Sequence, residues 1–142
     1  MGRPLDVWHT LGNGESLQSG EGLFSANGGY RFLLQSDGNL LLCARFGPGW
    51  TSLWESNTHG RGIAPFRLSM QSDNNLVLFD GSTGGGKAVW DSGSAGIGQG
   101  RAHLTLQDDG NCVLYDERGK ALWCTRTDGP MTSPYWGQGH RL

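Results

Sequence analysis

Leu34-Gln35-Ser36-Asp37-Gly38-Asn39-Leu40-Leu41-Leu42-Cys43 is the stretch from which the fold can be read, because the chain carries it three times. It returns as Met70-Gln71-Ser72-Asp73-Asn74-Asn75-Leu76-Val77-Leu78-Phe79 and as Leu106-Gln107-Asp108-Asp109-Gly110-Asn111-Cys112-Val113-Leu114-Tyr115. The glutamines (35, 71, 107), aspartates (37, 73, 109) and asparagines (39, 75, 111) are spaced 36 residues apart. Trp54 and Trp90 follow their glutamines by 19 residues, and Trp123 follows by 16. A fixed period of this length marks copies of one supersecondary unit, each needing its neighbours to bury a hydrophobic face.

Each copy reads as short strands. Residues 30–35, 66–71 and 102–107 are apolar-rich runs, and Asp37-Gly38, Asp73-Asn74 and Asp109-Gly110 after them predict hairpin turns. Return strands begin at Leu40, Leu76 and Cys112, and second turns at 46–49, 81–86 and 117–120 lead to the tryptophan strands. Residues 15–29 are expected to add strands to the first unit. No stretch longer than about ten residues shows a helical period, so the chain is predicted all-β. Strand alternation places Leu40, Leu42, Leu76, Leu78, Cys112 and Leu114 inside with Trp54, Trp90 and Trp123. Asn39, Leu41 and Cys43 take the opposite face, as do Asn75, Val77 and Phe79, and Asn111, Val113 and Tyr115. Three such sheets around a shared centre bury what one cannot, which predicts a three-sided prism of four-stranded sheets.

Composition agrees. The 142 residues suffice for one domain, with repeats at about 12–60, 61–96 and 97–128 and a tail at 129–142. Glycine accounts for 25 residues, a strong argument against helices, where each would cost about 1 kcal/mol relative to Ala. Eleven Lys and Arg against thirteen Asp and Glu give a net charge of −2 without a basic stripe, so nucleic acid is not an expected partner. No apolar run approaches the roughly 18 residues of a membrane helix, and no membrane insertion is expected. The N-terminus lacks the apolar segment of a secretory signal, so a cytoplasmic location or non-classical secretion is expected. Cys43, Cys112 and Cys124 form no CxxC pair; buried free thiols are favoured over a Cys112–Cys124 bridge. Gly84-Gly85-Gly86-Lys87 lacks the GxxxxGK[ST] frame of a phosphate loop and reads as a hairpin turn.

The repeated cluster has a definite chemistry. Gln, Asp and Asn supply fixed donors and acceptors at close range, and a carboxylate accepts two hydroxyl protons at once. An adjacent Val or Leu offers contact to a C–H face, and Tyr adds a hydroxyl. Together they suit a neutral polyol such as a sugar. Good turn-forming alone accounts for Asp-Gly and Asn, but not for three glutamines or an outward aliphatic side chain. Glycoside hydrolysis needs two carboxyl groups about 5–10 Å apart across one bond. The motif supplies one per site, and Asp108 is expected to point away from Asp109, so no enzymatic activity is expected. His9, His59, His103 and His140 lack zinc-site spacing, and no metal or other cofactor is expected.

The pattern Q-x-D-x-N-x-V-x-Y, tripled and followed by tryptophans, resembles that of the bulb-type (monocot) mannose-binding lectins. Gly14-Glu15-Ser16-Leu17, Gly22-Leu23 and Asn27-Gly28-Gly29-Tyr30 resemble that family's N-terminal segment, so the likeness spans about residues 12–128. It implies a β-prism of the second type that binds mannose or mannose-rich glycans at up to three sites. By resemblance, Asp and Asn hold the axial 2-hydroxyl, Gln the 3-hydroxyl and Tyr the 4-hydroxyl, while Val packs on the ring carbons. The third site (Gln107, Asp109, Asn111, Val113, Tyr115) is complete. The second (Gln71, Asp73, Asn75, Val77, Phe79) lacks the hydroxyl, and the first (Gln35, Asp37, Asn39, Leu41, Cys43) lacks hydroxyl and ring. The disulfide many members carry has Gly38 and roughly Ala64 at its places. A homodimer is expected, and because C-terminal strands are often exchanged between subunits in the family, the tail at Pro134-Tyr135-Trp136 is one route to it. The alternatives are a lectin-like antibacterial protein and a structural or protein-binding prism whose sugar sites have decayed.

Overall fold

Short runs of Leu, Val, Phe and Trp between glycine-containing turns leave room only for brief strands. The computed structural model, which describes residues 8–128 and 140–142, contains thirteen of them and no helix among the described residues. Strands β3 (Gly22–Phe24), β4 (Tyr30–Leu34), β5 (Leu40–Phe46) and β6 (Gly49–Glu55) form the first sheet, in that order. The second runs β2 (Ser16–Gln18), β7 (Arg67–Met70), β8 (Leu76–Phe79), β9 (Ala88–Asp91) and β13 (His140–Arg141). The third runs β1 (Thr10–Leu11), β10 (His103–Leu106), β11 (Cys112–Tyr115) and β12 (Ala121–Cys124). Every pairing is antiparallel. The predicted three four-stranded sheets are present, and the second gains β13 as a fifth, edge strand against β9.

The N-terminal segment differs from the sequence expectation. It does not extend the first unit alone but gives one strand to each sheet: β1 to the third, β2 to the second and β3 to the first. Its period explains this. Leu11, Leu17 and Leu23 recur every six residues, and each is fully buried at the middle or end of its strand. A segment with one inward leucine per six residues and polar turns between them crosses one sheet edge after another.

The core follows the alternation. Leu40, Leu42, Leu76, Leu78, Cys112 and Leu114 are fully buried together with Phe32, Leu34, Leu68, Met70, Leu104 and Leu106. At the centre stand Trp54, Trp90 and Trp123. Their ring centroids are 5.6–6.0 Å apart in all three pairs, with interplanar angles of 73–76°. Each indole thus presents its edge to the next face, the arrangement favoured by ring quadrupoles. In every sheet the strand that bears the tryptophan (β6, β9 or β12) carries one extra residue just before it, at Leu53, Val89 and Leu122. This bulge turns the extra aliphatic side chain onto the core as well.

The hairpin turns are one residue longer than the Asp-Gly pairs suggest. Gly38 donates to the Gln35 carbonyl (3.0 Å) and Gln35 donates to the Asn39 carbonyl (2.9 Å), with the same pairs in the other two copies. The central residues are therefore Ser36 and Asp37, followed by a left-handed residue: Gly38 (φ 89°), Asn74 (φ 73°) or Gly110 (φ 91°). These left-handed positions lock the repeats together. A Cβ on Gly38 would stand 2.7 Å from the Phe66 ring, and one on Gly110 would stand 2.6 Å from the Tyr30 ring. Tyr30, Phe66 and Ala102 share the 36-residue period, and where the turn holds Asn74 its opposite number is the small Ala102. Ring meets glycine twice and alanine meets asparagine once, so each repeat closes on the turn of the preceding one around the prism.

Candidate functional site

The outer face of each sheet presents the repeated cluster at the first hairpin. In every copy the aspartate is exposed, and one of its oxygens accepts the backbone N–H of the asparagine two residues on: Asp37 from Asn39, Asp73 from Asn75, Asp109 from Asn111, each at 2.9 Å. The described hydrogen bonds leave the second oxygen to the outside. Turn-forming thus occupies only one atom of each carboxylate.

The asparagines are buried, with their amides oriented from behind. Asn39 Oδ1 accepts from Ser56 Oγ (3.2 Å) and Thr58 N (3.1 Å), and Asn75 Oδ1 from Ser92 Oγ (3.2 Å) and Ser94 N (3.1 Å). Asn111 Oδ1 accepts from Thr125 Oγ1 (3.3 Å), Arg126 N (2.9 Å) and Thr127 N (3.3 Å). With the oxygen occupied by donors, the Nδ2 end is the one left to face outward. The brace residues 56, 58, 92, 94, 125 and 127 were not singled out from the sequence, although a hydroxyl two and four positions past each tryptophan is itself periodic.

The three copies differ at the far end of the cluster. In the third, Gln107 Nε2 donates to the Tyr115 hydroxyl, a bond that does not use the hydroxyl's own proton, while His103 lies with its ring centroid 6.0 Å from that of Tyr115. Val113 between them is buried. In the second, Phe79 takes the tyrosine position, and the Arg67 guanidinium sits 4.3 Å over its ring. In the first, Cys43 takes that position and is buried, and Arg31 stacks at 4.2 Å on Trp50 instead. Arg31, Arg67 and His103 pair directly with Cys43, Phe79 and Tyr115. Their 36-residue spacing was the available signal for this basic row. A cleft of about 450 Å³ beside the first cluster is lined by Gly20, Leu33, Gln35 and Asp37.

A second difference lies on the neighbouring strand. Opposite Leu41, Val77 and Val113 stand Glu55, Asp91 and Cys124. Glu55 accepts from Asn39 Nδ2 at 3.0 Å and Asp91 from Asn75 Nδ2 at 3.1 Å. The hydrogen bonds of the Asn111 side chain end on its Oδ1, and the residue across from it is a thiol.

Asp108 is held away from the third cluster, accepting at 2.9 Å from Asn27 N. No disulfide joins the three cysteines, and all are buried. Cys124 lies opposite Val113 and so shares its outward face, whereas Cys112 points into the core; alternation keeps the two thiols on opposite faces of the sheet. Burial, with a smaller contribution from Cys124, pushes the Cys112 thiol far above its ordinary pKa. No group of three or more potential metal ligands occurs among the described residues. The segment Pro134-Tyr135-Trp136 lies outside the described residues.

No family model matches the sequence, and no curated protein matches it. Solved structures do. The chain is 36% identical to monomeric monocot mannose-binding lectins from Gastrodia elata, with a TM-score of 0.70 over 84% of this chain and 97% of that one. It is 34% identical, with a TM-score of 0.64, to the mannose-specific agglutinin of snowdrop (Galanthus nivalis) solved with methyl-α-D-mannoside, covering 86% and 99% of the two chains. The Polygonatum cyrtonema lectin, complexed with monomannoside, is 30% identical with a TM-score of 0.63, over 87% and 99%. Identity at this level across nearly the whole of each relative, on the same prism of three sheets, places the chain in the monocot mannose-binding lectin family.

Proposed function

We propose that the protein is a carbohydrate-binding lectin that recognises mannose and mannose-containing glycans without a metal ion, principally through Gln107, Asp109, Asn111, Val113 and Tyr115. The observation that carries this reading is the third cluster itself. An outward carboxylate oxygen, an amide whose oxygen is pinned from behind, and a glutamine–tyrosine pair surround one aliphatic side chain. A pyranose with a syn pair of hydroxyls and an apolar ring face matches that set of donors, acceptors and C–H contact. Relatives solved with mannosides support the choice of sugar.

The carboxylate accepts hydroxyl protons directly, and one carboxylate per motif is far short of the 6–8 oxygens of a Ca²⁺ site. Calorimetric titration with methyl-α-D-mannoside is therefore expected to give the same affinity with and without EDTA. Asp109→Asn keeps an acceptor for the Asn111 N–H but removes the charge, and binding at this site is expected to fall at least about tenfold. Loss of binding in EDTA, or an unchanged Asp109→Asn variant, contradicts the mechanism.

Shallow sites bury few ligand atoms and bind weakly, so useful avidity needs linked copies. A homodimer follows as part of this proposal. Light scattering at tens of micromolar is expected to give twice the 15.3 kDa chain mass; a monomer removes it.

A further inference from the structure

We propose that the residue directly after each core tryptophan (Glu55, Asp91 or Cys124) decides whether its repeat binds sugar well, by engaging or releasing the asparagine amide; this rests on the mannose reading above. The three asparagines are otherwise braced alike, each with its Oδ1 held by a hydroxyl and a backbone N–H. In the first two repeats a carboxylate on the neighbouring strand takes a hydrogen of the Nδ2 group, at 3.0 Å from Glu55 and 3.1 Å from Asp91. A sugar hydroxyl arriving there must displace or share a charge-assisted hydrogen bond, the stronger kind. It also meets a second carboxylate beside the motif aspartate. In the third repeat the facing residue is Cys124, whose sulfur is a weak acceptor at best, and the Asn111 amide is left for the ligand. Glu55 and Asp91 are thus positioning residues acting through Asn39 and Asn75. They lower the first two sites independently of what stands at the tyrosine position.

Exchange of the two states tests this. Site-resolved titration with methyl-α-D-mannoside, followed by ¹H–¹⁵N spectra that separate residues 71–79 from 107–115, is applied to wild type, Asp91→Ala and Cys124→Asp. One hydrogen bond corresponds to about a two- to tenfold change in affinity. Asp91→Ala is expected to tighten the second site by that factor, and Cys124→Asp to weaken the third by a similar one. In the wild type, the side-chain amide protons of Asn75 are expected to exchange with solvent more slowly than those of Asn111; this readout needs no variant to fold. Weaker or unchanged binding at the second site of Asp91→Ala overturns the assignment, as do Asn75 and Asn111 side-chain amides that exchange with solvent alike. Wild-type binding at the third repeat together with an indifferent exchange leaves the mannose reading standing. Absence of binding at every repeat overturns both.

Discussion

On the proposed mannose reading, Tyr115 and Asp109 carry different shares of the third site, because one contributes a neutral hydroxyl and the other a charge. Tyr115→Phe removes a hydroxyl that Gln107 already holds and leaves the ring, so a loss of about two- to tenfold in mannoside affinity is expected by titration. Asp37→Ala, in a repeat whose tyrosine position is the buried Cys43 and whose Asn39 amide is engaged by Glu55, is expected to change total binding little. Equal losses from Asp37→Ala and Asp109→Ala would show that neither the tyrosine position nor the acid ranks the sites. The clustering of the five motif residues in each repeat was legible in the sequence because they repeat and alternate. Glu55 and Asp91 were not, since cross-strand partners 16 residues away emerge only once register is fixed. By sequence, Asn74 is a turn residue alone. Its amide also donates to the Ile97 and Gly100 carbonyls at 3.0 and 2.9 Å and accepts from Ala102 N at 2.9 Å. Asn74→Ala would strand those groups and place alanine in the left-handed region, at a cost of about 2–4 kcal/mol in urea unfolding.

At the scale of the hairpin, loop shape is set by two aspartates that the motif does not include. Asp80 accepts from Lys87 N (2.7 Å), Ser82 Oγ (2.8 Å), Ser82 N (3.0 Å) and Ile63 N (3.1 Å). Asp116, 36 residues on, accepts from Gln99, Arg118 and Lys120 N–H groups, each at 2.9 Å. The backbone N–H of Lys87 is the largest influence on Asp80, and that of Gln99 the largest on Asp116; both carboxyls are held below the ordinary range. Folding lowers these values, so the stabilisation is in force above the unfolded carboxylate pKa of about 4 and is lost as pH falls below it. Thermal melts are expected to drop from about pH 4 downward, and Asp80→Asn with Asp116→Asn should flatten that acid limb. An unchanged acid limb in the double variant would place the pH dependence elsewhere. The triple-glycine turn Gly84-Gly85-Gly86, all at positive φ, forms the loop that Asp80 closes, and Arg67 Nη2 donates to the Gly85 carbonyl at 2.8 Å. The sequence marked it as a turn but not its clasp, because the two are joined only through the fold.

Across the whole molecule, the three tryptophans and the N-terminal segment bind the sheets into one body. The tryptophan centre was legible because its spacing tracks the motif. The distribution of β1, β2 and β3 over three sheets was not, because the six-residue period of Leu11, Leu17 and Leu23 is short and the intervening turns carry no motif. Trp90 is fully buried and touches both other indoles, so Trp90→Ala is expected to cost about 3–5 kcal/mol in urea unfolding. A stable variant would mean that the prism does not depend on its centre. Sugar binding on the outer faces of this body is the proposal on which the rest depends. A crystal structure of the protein grown with methyl-α-D-mannoside in the presence of EDTA tests it most directly. A mannoside is expected in the third repeat, its hydroxyls on Asp109, Asn111, Gln107 and Tyr115 and its ring on Val113; an empty third repeat at saturating sugar, or a sugar bound away from these clusters, would overturn the proposal.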